Sequence, residues 1–157
     1  MSILELGPGP GTFTIEAAKH TSTEGYVAAI DIQPSMVLRL RNRLRKESII
    51  NVEPIVGSAL NLPLKDRVFD RIFMLAVFGE LPDKEKALNE ANRVLKDRGL
   101  LAVREFSPDP NRPRRKTVIN WCSKTGFKLV KEYGGFLHYL LMFEKAENNC
   151  KGIVSPR

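Results

Sequence analysis

The chain has 157 residues, 43% of them apolar and 27% charged, which fits one soluble globular domain large enough to bury a core. No apolar run approaches the ~20 residues needed to span a bilayer, and no basic segment leads into an apolar one at the N-terminus. Cys122 and Cys150 lack metal-ligand spacing, so the expectation is a reduced cytoplasmic protein with no metal and no membrane span. The 25 basic residues exceed the 18 acidic ones, for a net charge of +7. Part of the excess lies at Arg39, Arg41, Arg43, Arg45 and Lys46, and part at Arg112, Arg114, Arg115 and Lys116. Such clusters attract anionic ligands, nucleic acid or acidic surfaces, or simply form a solvated face.

In chain order, residues 3–6 read as a short strand. Gly7, Gly9 and Gly11 follow at alternate positions, then a helix over 12–20 with Ile15, Ala18 and Phe13 inward. Residues 26–31 form a second strand whose near-continuous apolar character suits burial on both faces. Pro34 opens a helix whose apolar stripe is Met36, Leu40 and Leu44. Residues 52–56 are a third strand, 57–67 a loop, and 69–77 a fourth strand. A helix over 84–96 turns inward Ala87, Ala91, Val94 and Leu95. Asp97-Arg98-Gly99 is a turn into a fifth strand over 100–106. A proline-rich loop over 107–115 leads to a short helix over 116–124. Strands over 127–133 and 136–144 then flank the hairpin signal Gly134-Gly135.

This alternation predicts an α/β domain over 1–145: a doubly wound sheet, mostly parallel, covered by helices on both faces. The final hairpin adds antiparallel character, because a two-residue link cannot make a parallel crossover. Residues 146–157 are a polar tail.

In such sheets ligands sit at the carboxyl ends of the strands. After the first strand come Glu5, Gly7, Pro8, Gly9 and Gly11, a turn that lets a ligand approach the backbone, followed by a helix N-terminus. Asp31 and Ile32 end the second strand, and the Asp31 carboxylate suits the two vicinal hydroxyls of a ribose. Ser58, Ala59 and Leu60 follow the third strand. Leu75, Phe78 and Glu80 follow the fourth, and Glu105 lies near the end of the fifth. Glu80 and Glu105 are the candidate bases, each with a competing structural role. His20 suits a helix C-terminus, and His138 in the last hairpin is expected far from the strand tips.

The Glu5-Leu6-Gly7-Pro8-Gly9-Pro10-Gly11 segment resembles motif I of class I S-adenosylmethionine-dependent methyltransferases. So do Asp31, the Gly57–Leu64 stretch (with Ser58 where that family usually has an acidic residue), the segment after the fourth strand and the Arg93–Leu101 turn. The resemblance runs from residue 3 to about residue 145 and points to the small-molecule, quinone-biosynthesis-like type. It implies a Rossmann-like, seven-stranded methyltransferase architecture without N-terminal lid helices. The implied cofactor is S-adenosylmethionine, leaving S-adenosylhomocysteine as product. Glu5, Gly7, Pro8, Gly9, Gly11, Asp31, Ile32, Ser58, Ala59, Leu60 and Leu75 would hold it. Phe78, Arg112 and Arg114 would meet a small-molecule acceptor. A nucleic-acid acceptor or a non-catalytic scaffold are the alternatives, and an uncovered apolar patch would favour a homodimer.

Overall fold

The computed structural model describes residues 1–21 and 24–146. Among them strands and helices alternate: β1 (Ser2–Leu6), α1 (Thr12–His20), β2 (Tyr26–Asp31), α2 (Pro34–Lys46), β3 (Val52–Val56), β4 (Phe69–Leu75), α3 (Lys84–Val94), β5 (Leu95–Phe106), α4 (Arg115–Lys124), β6 (Phe127–Gly134) and β7 (His138–Lys145). The sheet order is β3-β2-β1-β4-β5-β7-β6. β1 to β5 pair in parallel, and β7 pairs antiparallel to both β5 and β6. The expected tail lies, Ala146 apart, outside the described residues. No helix among the described residues is long and apolar enough to cross a membrane.

β1 and β2 are buried on both faces, which is why their sequences run largely apolar without alternation. Leu4, Leu6, Ala28 and Ile30 pack toward α3 and α4, against Ala87, Leu88, Ala91, Val118 and Cys122. Ile3, Val27 and Ala29 face the other way, toward Ile15 and Ala18 of α1 and Leu40 and Leu44 of α2.

The elements depart from the expected ones in instructive places. In α2 the buried stripe is Val37, Leu40 and Leu44, and Met36 lies beside it at the strand-tip end. Phe13 is exposed, with the Arg104 guanidinium 5.8 Å over its ring. The third helix stops at Val94, because Leu95 is extended, fully buried and already paired with Phe69. The register then shifts before Leu100 pairs with Arg71, so the Asp97-Arg98-Gly99 reversal is an irregularity within β5 rather than a turn before it. Arg98 carries the positive φ of 59° that this reversal needs.

Arg93 fastens the loop between β3 and β4 to α3. Its Nε and Nη2 donate to the Glu90 carboxylate, each at 2.8 Å. Nη1 donates to Asp66 at 2.6 Å and to the Leu64 carbonyl at 2.8 Å, and Nη2 donates to the Leu62 carbonyl at 3.0 Å. Glu90 in turn accepts the Leu62 N–H at 2.7 Å. All five guanidinium donors are used, in the planar fork that only arginine offers. Arg93→Ala should therefore cost about 2 kcal/mol in urea unfolding, and Arg93→Lys should recover little of it. A lysine variant as stable as the parent would show that the fork geometry is immaterial.

Candidate active site

β1, β2 and β4 end side by side. The ladder continues one residue past β1, β3 and β4: the Gly7 N–H donates to the Ile30 carbonyl at 2.8 Å, the Gly57 N–H to the Asp31 carbonyl at 3.0 Å and the Ala76 N–H to the Arg104 carbonyl at 2.8 Å. Beyond those bonds the backbones diverge around a hollow of about 390 Å³, within the ~300–1,000 Å³ usual for small-molecule sites. Ala76, which lines the wall, holds a positive φ of 55° there, a conformation disfavoured for a residue with a Cβ.

The three glycines have three different reasons. All have positive φ, but only at Gly9 would an added Cβ meet nothing within 4 Å, because Gly9 faces the hollow. A Cβ on Gly7 would strike the Val77 side chain, and one on Gly11 would strike Leu40. Gly11 is the left-handed N-cap of α1 and is buried against α2. The expectation that every glycine opens the backbone to a ligand thus narrows to Gly9. Gly7 also borders the hollow, but its missing Cβ makes room for β4's exit.

Asp31 couples the second strand tip to this turn. Its Oδ2 accepts the Gly9 N–H at 3.2 Å, and its Oδ1 accepts the Gln33 N–H at 2.9 Å. Each oxygen thus accepts one N–H and retains capacity for another, and Asp31 lines the hollow. Ile32, Ser58, Ala59, Leu60, Leu75 and Glu80 also line this space. The Ser58 hydroxyl accepts the Leu60 N–H at 3.1 Å, closing its own loop, so its acceptor capacity is partly spent. Pro10, Gln33, Met36, Val77, Leu81 and Pro82 also line the wall and escaped sequence reasoning. Met36 had a signal, being an apolar residue of the first turn of α2, but it was absorbed into the core stripe.

Several expected site residues lie elsewhere. Glu5 is buried beneath the turn and accepts the Thr14 hydroxyl proton, so it braces α1 against β1. Pro8 is buried and, like Gly11, is outside the wall. Phe78 is fully buried in the core beside α3, which removes it from any acceptor surface. Glu105 is fully buried on the α4 side of β5, with its neighbour Arg104 on the opposite face. Its Oε1 accepts the Phe78 N–H at 3.1 Å and its Oε2 has no hydrogen-bond partner. It therefore holds the turn that carries Glu80 instead of facing the hollow. Arg112 and Arg114 line a separate hollow with Arg115, Phe136 and Tyr139.

His138 corrects an expectation in the other direction. β7 runs antiparallel, so its first residue pairs with Phe106 at the end of β5, on the strand-tip edge. There His138, Phe13, Leu75, Arg104, Phe106 and Leu137 line a second hollow of about 370 Å³, which shares Leu75 with the first.

Burial dominates the electrostatics underneath. It pushes the Glu5 carboxyl up to about 7, against the lowering effect of the Thr14 hydrogen bond, and the Asp31 charge adds to the rise. Burial likewise raises Glu105 to about 7 despite the Phe78 N–H. A carboxyl that titrates higher folded than unfolded stabilises the fold when protonated. That contribution is complete below about 4.5 and is lost as pH rises through about 7. Urea midpoints should thus fall across that interval. Glu5→Gln and Glu105→Gln should each flatten part of the slope, and an unchanged slope in both variants would contradict the assignment.

The hollow fits a nucleoside-bearing ligand: open backbone at Gly9, a carboxylate at the second strand tip and an apolar wall at Leu60, Leu75 and Val77. Among the described residues no group of histidines, cysteines and carboxylates is arranged to hold a metal ion. The chain resembles the ubiquinone/menaquinone biosynthesis C-methyltransferase UbiE of Vibrio parahaemolyticus, at 37% identity over 73% of this chain and 44% of the relative. It resembles the protein of the same name from Cronobacter sakazakii at 37% identity over 85% and 55%. It thus spans about half the length of these curated relatives. A solved SAM-dependent methyltransferase from Aquifex aeolicus superposes with a TM-score of 0.88, at 26% identity over 93% of this chain and 82% of that one. The family model described as a methyltransferase domain matches residues 1–147, and the chain belongs to that family.

Proposed function

We propose that this chain binds S-adenosylmethionine in the hollow at the tips of β1, β2 and β4 and transfers its methyl group to a small-molecule acceptor. The observation that carries this reading is the convergence of Gly9, Asp31 and the Ser58–Leu60 loop on one hollow, in a member of the methyltransferase domain family. When bound, S-adenosylmethionine supplies a sulfonium-activated methyl carbon, and its departure leaves the neutral thioether S-adenosylhomocysteine. With so activated a donor, alignment and exclusion of water are the main work left to the protein.

Gly9 admits the ligand to the backbone, and the Asp31 carboxylate accepts from the two ribose hydroxyls. Leu60, Leu75 and Val77 give the apolar surround that excludes water. Glu80 faces the same space, where its negative charge complements a cationic donor, and it takes a proton from an acceptor that must lose one. Glu105 is a positioning residue that fixes the Phe78 N–H two residues before Glu80. The second hollow, which shares Leu75 with the first, is the acceptor's place. The names of the curated relatives support a small organic acceptor. The arginines on which a nucleic-acid acceptor would depend line a different hollow, which favours the small-molecule reading.

Titration with S-adenosylhomocysteine by calorimetry, with NAD as control, tests the cofactor. Saturable binding of the former alone is expected. Asp31→Ala should weaken it tenfold or more, on the order of a lost charged hydrogen bond. Gly9→Ala should weaken it while the circular dichroism spectrum stays native. No binding in a folded sample would overturn the proposal. Binding without methyl transfer across an acceptor panel would favour a scaffold.

A further inference from the structure

The β6–β7 hairpin ends in an apolar point at the strand-tip edge. Phe136 is 91% exposed and Leu137 is 64% exposed. Two adjacent large apolar side chains this exposed at a turn are costly in water. Their backbone, by contrast, is firmly held. Arg112 Nη2 donates to the Phe136 carbonyl at 2.7 Å, Arg115 Nη2 to Gly134 and Gly135 at 3.3 Å each, and the Ser107 N–H to Leu137 at 2.7 Å. The tip is therefore a fixed projection.

The same interactions set positive charge immediately behind it. Arg112 and Arg115 sit over the Tyr139 ring at 5.2 Å and 5.6 Å, and Arg114 completes a basic hollow of about 600 Å³. The pair from Arg115 to Glu132, at 3.5 Å, offsets only part of this charge. Apolar side chains in front and guanidinium groups one layer behind are the arrangement that an anionic bilayer complements. The acyl region takes the tip while the headgroup phosphates meet the arginines. A second copy docked symmetrically through this face would instead bring two arginine clusters together, which opposes pairing. Nucleic acid would use the arginines but leave Leu137 without a role.

We propose that the Phe136-Leu137 tip and the Arg112, Arg114 and Arg115 cluster dock this protein on anionic lipid surfaces. The inference does not depend on the methyl-transfer reading. Because Leu137 also lines the second hollow, docking turns the mouth of that hollow toward the lipid.

Co-sedimentation with vesicles of phosphatidylcholine alone and of phosphatidylcholine with phosphatidylglycerol tests this. Binding is expected to the anionic vesicles only and should fall steeply in high salt. The double change Phe136→Ser with Leu137→Ser should weaken it about tenfold or more. Arg114→Gln, at a residue whose side chain makes no ion pair or hydrogen bond among the described residues, should weaken it severalfold. A circular dichroism melt confirms that each exposed-site variant is folded. Failure of the folded parent to bind, or binding unaffected by the double change, would overturn the proposal. So would salt-sensitive binding to a short RNA with none to vesicles, or a dimer in light scattering that the double change abolishes.

Discussion

The structure depends on the reversal of strand order at β1. The chain lays β2 on one side of β1 and β4 on the other, so the turns leaving β1 and β4 move apart instead of stacking. That divergence opens the hollow. What keeps it open is hydrogen bonding at the tips: Asp31 accepts the Gly9 N–H, and Gly7 and Gly57 each continue the ladder one residue past the strands. These are backbone constraints, and their donors would otherwise be buried without partners. The site is in this sense a consequence of finishing the sheet.

The buried carboxyls show how the fold sustains the site from below. Glu5 braces the first helix through Thr14, and Glu105 braces the turn after β4 through the Phe78 N–H. Both are more basic than ordinary carboxyls because burial penalises their charge. Arg93 performs the same service for the third wall from the surface, with its five donors spread over α3 and the loop after β3. The turns that face the ligand are thus also held by residues one layer removed.

The element order, the parallel sheet and the terminal hairpin were legible in the sequence, because apolar runs and glycine punctuation report burial on two faces directly. Asp31, Gly9 and the loop at Ser58 were legible as residues near the hollow for a related reason: Asp31 ends β2, and the others lie within a few residues of the ends of β1 and β3. Depth was not legible. Strand-tip position alone cannot tell Glu80, which faces the hollow, from Glu105, which faces the core, because side chains alternate along a strand and the register of β5 is shifted by the irregularity at residues 96–99. Phe78 and Gly11 were misread because position after a strand does not report packing: Phe78 turns into the main core, and Gly11 lies against Leu40 of α2. His138 was misread because the direction of β7 inverts which end of the strand reaches the site.

The central claim is that the turn after β1, the tip of β2 and the loop after β3 act as one ligand site. Amide NMR spectra recorded during addition of S-adenosylhomocysteine test it most directly. The account predicts saturable shifts at Gly9, Gln33, Ala59, Leu60 and Val77, with α4 and β6 unmoved. Shifts confined to the hairpin and the arginine hollow, or none at the three strand tips, would contradict it.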